Sequence, residues 1–152
     1  MKATTRLFGE IDIEEEKIIT MENGMIGFPD LKKFTLIYDE EKEDNFIRWM
    51  QSMDDPDIAF PVIDPSRILP DYNPTVDDAM LSALGEFTDE SCYVLNTITV
   101  PKKMEDMAVN LKAPVVINTA TRKGCQLIVE DDFAVKFRIY ELLKEKKEKA
   151  GD

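Results

Sequence analysis

The chain has 152 residues, 43% apolar and 33% charged, with 31 Asp and Glu against 19 Lys and Arg, a net charge of −12 and no histidine. Such a length suits one domain that buries roughly 70% of its unfolded surface, and the missing histidine removes Ser-His-Asp and Cys-His nucleophiles, His-ligated zinc and the ordinary general base near neutral pH. The acidity repels phosphates and anionic lipid over about 8–10 Å, so neither nucleic acid nor a membrane is an expected partner.

From the N-terminus, the sequence turns acidic (E-I-D-I-E-E-E, 10–16) before an apolar signal region forms. No apolar run approaches the roughly 18 residues of a membrane span, so a cytoplasmic, unanchored protein is expected. Leu7, Gly9, Ile11 and Ile13 alternate with Phe8, Glu10 and Asp12, which predicts a strand. The cluster E-N-G-M-I-G-F-P-D (22–30) predicts turns, and Phe34 to Tyr38, Phe46 to Gln51 and Ala59 to Ile63 read as short strands rich in β-branched and aromatic residues. Between the first two of these, D-E-E-K-E-D (39–44) reads as a solvated acidic loop. Trp49 reads as a core residue, the alternative being an adaptable Trp and Met surface for a partner.

Turn clusters follow at D-D-P-D (54–57) and D-P-S-R-I-L-P-D-Y (64–72). In T-V-D-D-A-M-L-S-A-L-G, Thr75 is placed to cap a helix whose Val76, Met80, Leu81 and Leu84 share one face and which Gly85 closes. This amphipathic helix is expected to plug an open end of the β structure. Tyr93 to Val100 is a further strand. A hairpin is expected from Pro114, with Val115 and Ile117 on one face, Val116 and Asn118 on the other, T-R-K-G as the turn and Cys125 to Val129 returning. Met107 to Val129 contains no carboxylate, as a hairpin buried on both faces requires. A second helix is legible at Tyr140 to Lys149, although only Leu142 and Leu143 are there to bury.

The expected fold is mostly β: a small antiparallel barrel-like or sandwich domain over residues 1–140 with one internal amphipathic helix, followed by a charged tail at 141–152 that the second helix would occupy. Cys92 and Cys125 form no C-x-x-C pair and are expected to be free, buried thiols. No catalytic set, cofactor motif or metal-ligand spacing is present; the carboxylates at 54–57 and 130–132 read as turn chemistry, without EF-hand spacing or a phosphate loop.

Four stretches add a resemblance: I-I-T-M-E-N-G-M-I-G-F-P-D-L-K-K-F (18–34), W-M-Q-S-M-D-D-P-D-I-A-F-P-V-I-D-P (49–65), P-D-Y (70–72) and V-N-L-K-A-P-V-V-I-N-T-A-T-R-K-G-C-Q (109–126). In this order the chain resembles the bacterial flagellar assembly factor FliW family over about residues 6 to 138. The resemblance implies a small, mostly β, non-enzymatic protein that binds flagellin in the cytoplasm. It also implies binding, in exchange, to the RNA-binding translational repressor CsrA, which relieves repression of flagellin translation. Partner-contact candidates drawn from these motifs are Asp54, Asp55 and Asp57 as an acidic rim around Phe60, with Asp71, Tyr72, Asn110, Lys112 and Asn118 as polar or aromatic contacts. A generic ligand-binding β-barrel and a histidine-free carboxylate enzyme are the alternatives.

Overall fold

The computed structural model describes residues 2–37, 47–76, 78–88, 90–99, 102–142 and 144. Its strands are β1 (Lys2–Thr5), β2 (Gly9–Asp12), β3 (Ile19–Met21), β4 (Lys33–Ile37), β5 (Ile47–Ser52), β6 (Ala59–Ile63), β7 (Cys92–Thr99), β8 (Ala108–Val109), β9 (Val115–Asn118), β10 (Lys123–Gln126) and β11 (Phe137–Arg138). A short helix α1 spans Asp78–Ser82, and residues 140–142 and 144 are helical. Strands β9, β10, β3, β4, β5, β6 and β7 pair in that order, and β7 pairs back with β9, closing a seven-stranded barrel. An odd ring cannot alternate direction throughout, so one parallel neighbour pair is forced. Here it is β3 with β10, where the sequence reading expected antiparallel pairing alone.

Strand alternation sorts the core. Ile19, Met21, Phe34, Met50, Val62, Leu95, Val115 and Ile117 fill the barrel. The opposite parity, Val116 with Val94 and Cys125, packs outside against Leu84 and Leu127, with Val76 and Leu81 beside them. The predicted apolar face of the helix is therefore real, but it lies on the barrel wall over β7, β9 and β10 and plugs no end. Thr75 is not its cap: its N–H and hydroxyl both bond the Asp131 carboxylate, at 3.0 Å each, and the regular helix shrinks to five residues. A third cluster, Ile63, Ile98, Met107, Val109, Leu111 and Ile139, forms under β8 and β11, which extend the sheet outward from β7.

The carboxylate-free window is indeed the buried hairpin: all four residues of β9 are buried. Its turn comes earlier than expected, since Lys123 and Gly124 already pair in β10 and the chain reverses over residues 119–122. Gly124 admits Met21 to the interior, where a Cβ would stand 2.7 Å from the Met21 sulfur. Both cysteines are free, but neither is buried: Cys92 is exposed and Cys125 half-buried, while local desolvation raises both thiol pKa values. Trp49 points outward and is half-covered by Phe8, ring to ring at 6.4 Å. Tyr38, Phe46, Val100, the acidic loop at 39–44 and the tail from 145 lie outside the described residues.

Candidate protein-interaction site

The register places the ends of β3, β5, β7 and β10 and the starts of β4, β6 and β9 at one mouth of the barrel. There Met25 and Phe28 exchange N–H to C=O bonds of 3.3 and 2.8 Å, leaving Ile26 and Gly27 at the tip of a tight turn. Gly27 has φ +88, as the third position of a type II turn demands. Buried Met25 anchors the turn, the Gln126 side-chain oxygen accepts the Ile26 N–H at 2.9 Å, and the Ile26 side chain is left 52% exposed. A β-branched apolar residue at a turn tip gains little for the fold, which makes Ile26 a candidate contact residue together with the apolar side chains beside it.

Phe28, 38% exposed, stacks edge-on against Phe60 at 5.3 Å, and Phe60 leans on the fully buried Phe34 at 6.1 Å. The aromatic surface is thus braced against the core. Beyond β10, Leu127 and Val129 stay buried by bonding to the Pro114 and Lys112 carbonyls, so alternation turns Ile128 outward at 62% exposure. Among the described residues the other exposed large apolar side chains are Leu7, whose segment meets this same end through the 3.1 Å bond from the Arg6 N–H to the Pro56 carbonyl, and Val135, which follows Ala134, whose carbonyl accepts the Leu111 N–H.

The acidic turn between β5 and β6 borders this surface. Ser52 Oγ accepts the N–H groups of Asp54 and Asp55, Asp54 Oδ2 accepts those of Lys32 and Lys33 at 2.7 and 3.0 Å, and Asp55 Oδ1 accepts that of Asp57. These carboxylates hold the turn in place, yet they remain at the surface with their charge. Asp54 and Asp57 are exposed and Asp55 partly so. Of the sequence-derived candidates, Asp54, Asp55, Asp57 and Phe60 therefore do assemble at one place.

The others sit elsewhere. The Tyr72 hydroxyl donates to the Leu111 carbonyl at 2.6 Å and accepts from Asn96 Nδ2, which also reaches the Asn110 carbonyl, and the ring stacks on Phe133 at 4.9 Å. Burial pushes the Tyr72 pKa up. Asn110 Oδ1 accepts the N–H groups of Lys112 and Ala113, and Lys112 Nζ donates to the Asp131 carbonyl at 2.8 Å. This is a bracing network beneath β8, with Asp71 exposed at its margin. Asn118, fully buried, donates to the Leu84 and Glu86 carbonyls and secures the helix segment. Ile26, Phe28 and Ile128 escaped the sequence reading; the available signal was M-I-G-F inside a cluster otherwise made of Gly, Pro, Asn and acids.

Among the described residues no three acidic or thiol side chains converge as metal ligands, and no helix is long and apolar enough to cross a membrane. The chain matches the FliW protein family over residues 2–139. It is 44% identical to the flagellar assembly factor FliW of Lachnoclostridium phytofermentans over 151 residues, 98% of this chain and 97% of that protein. With the flagellar assembly factor FliW of Lachnospira eligens it shares 45% identity over 147 residues, 95% of this chain and 97% of that one. The fold superposes on a crystal structure of the flagellar assembly factor FliW with a TM-score of 0.83 at 30% identity, covering 91% of this chain and 96% of that chain.

Proposed function

The chain belongs to the FliW family, and from that premise we propose that it binds flagellin and, in exchange, a CsrA-type translational repressor in the cytoplasm. Its relatives are named flagellar assembly factors, and this chain acts as a non-enzymatic one. When flagellin is exported, the freed protein takes up the repressor and translation of flagellin resumes. The observation that carries the reading is the barrel mouth where Ile26, Phe28 and Ile128 stand exposed beside Asp54, Asp55 and Asp57. Apolar anchors there supply contact energy, and the acidic margin attracts basic surfaces such as an RNA-binding protein presents. A body of −12 docked on such a partner also weakens its hold on RNA through the field alone.

Co-purification of the chain with flagellin and with a CsrA-type protein, at low and moderate salt, tests the assignment. Each is expected to bind, flagellin is expected to displace the repressor, and the chain is expected to lower repressor occupancy on RNA while showing no RNA affinity itself. A shift of labelled RNA by the chain alone, or binding of neither protein, would overturn the reading.

A further inference from the structure

On the wall of the barrel, next to the acidic turn that Lys33 reaches through its N–H bond to Asp54, three cations gather: Lys33, Arg122 and Lys123, the last paired with Glu22 at 3.9 Å. The outward residues Lys123, Thr20 and Lys33 stand in one row across β10, β3 and β4, because Lys123 pairs with Thr20 and Thr20 with Lys33. Beside them runs a groove of about 590 Å³ lined by Glu15, Ile18, Thr20, Lys33, Thr121 and Arg122. Two cations against one acid line it, in a chain whose total is −12.

Arg122 comes to the groove on the turn between β9 and β10. It is the non-glycine residue at positive φ (+60) among those described, a conformation that suits Gly or Asn and costs any larger side chain. The cost secures a position. Its carbonyl accepts the Thr20 N–H at 2.8 Å and its guanidinium donates to the Glu15 main-chain oxygen at 2.9 Å, while the Lys33 ammonium donates to the Thr20 hydroxyl at 3.1 Å. Thr20 therefore ties both cations to one strand. Each of these bonds uses a single N–H, which leaves most of the guanidinium fork and two ammonium hydrogens for a ligand.

We propose that this groove binds the carboxylate groups of an acidic peptide segment: the Arg122 fork and the Lys33 ammonium take the charge, the Thr20 hydroxyl donates, and Ile18 offers an apolar rest for the methylenes of a glutamate. A planar carboxylate matches the guanidinium fork. Phosphate is the weaker fit, because it brings a single anionic group to the two cations and no methylenes to rest on Ile18. The proposal concerns the barrel wall and not the exposed apolar residues of the mouth, and Lys33 borders both, since its N–H bonds Asp54 Oδ2.

The test is amide chemical-shift titration of the full chain with a tetraglutamate peptide at low ionic strength, with inorganic phosphate as a second arm. Saturable shifts are expected at residues 15–20, 33 and 121–123, weakened at least about tenfold by Lys33→Gln and by Arg122→Asn and retained by Lys33→Arg. Asn accepts the positive φ, and unchanged shifts elsewhere in the spectrum certify the fold of each variant. Shifts that do not saturate, equal affinity in the variants, or tighter binding of phosphate than of the peptide would overturn the proposal.

Discussion

Gly24 controls the geometry of the mouth more tightly than its neighbour Gly27. It has φ +66, and a Cβ there would run into the Phe28 carbonyl and stand 2.7 Å from Pro29 Cα, whereas a Cβ on Gly27 meets nothing within 4 Å. Gly24→Ala is therefore expected to lose about 2–3 kcal/mol and Gly27→Ala only about 1, a ranking that urea unfolding of both variants resolves. Tyr72→Phe removes the donor to the Leu111 carbonyl and the acceptor for Asn96 while keeping the stack on Phe133. The expected cost is about 1–2 kcal/mol of stability, read in the same assay, with partner affinity unchanged because the hydroxyl faces its own chain. At this scale the sequence was legible where chemistry is local: D-D-P-D reads as turn carboxylates, and each of the first two accepts backbone N–H groups. It was opaque for Tyr72 and Asn118, whose partners lie 39 and 34 residues away.

Among the elements, β6 falls on Ala59–Ile63 as the pattern indicates, and the two parities of β9 serve the barrel interior and the outer cluster in turn. Strands β8 and β11, two residues each, carry too little alternation to register, and their neighbours across the sheet alone define them. The helix starts later than expected, at Asp78, with Thr75 held outside it by the two bonds that it donates to the Asp131 carboxylate. That clasp is pH-sensitive. The Thr75 backbone and hydroxyl bonds, helped by the Lys112 charge, hold the Asp131 pKa below its ordinary 3.8. A depressed carboxylate contributes stability that is fully present above 3.8 and is lost as pH falls through the lower folded-state value. Asp131→Asn is thus expected to flatten the acid limb of the stability profile there, as thermal melts across pH will report. Asn118→Ala orphans the Glu86 carbonyl, leaves the Leu84 carbonyl to the Thr121 hydroxyl alone and should loosen residues 78–88, seen as faster amide exchange of that segment with the barrel strands still protected.

For the molecule as a whole, composition indicated a globular, acidic chain without histidine-based chemistry, and the net charge of −12 made nucleic acid an unexpected partner. The closed ring and its parallel seam were not legible, because strand order is decided by pairings distant in sequence. Nor was the proposed docking end, which exists only once the turn at 25–28, the acidic turn and Ile128 are gathered at one mouth. On the proposed reading that gathering divides the labour of binding. Exposed ion pairs contribute about 0–1 kcal/mol each and are screened by salt, so Asp55→Asn with Asp57→Asn should slow association at low ionic strength and leave dissociation nearly unchanged. Desolvated apolar anchors hold the complex and govern its lifetime. The decisive measurement is the dissociation rate from flagellin of Ile26→Ser and Ile128→Ser, two exposed positions whose replacement leaves the core intact. The account predicts a rise of about tenfold or more for at least one of them with unaltered melting; dissociation at the parent rate for both variants would place the interface away from the barrel mouth.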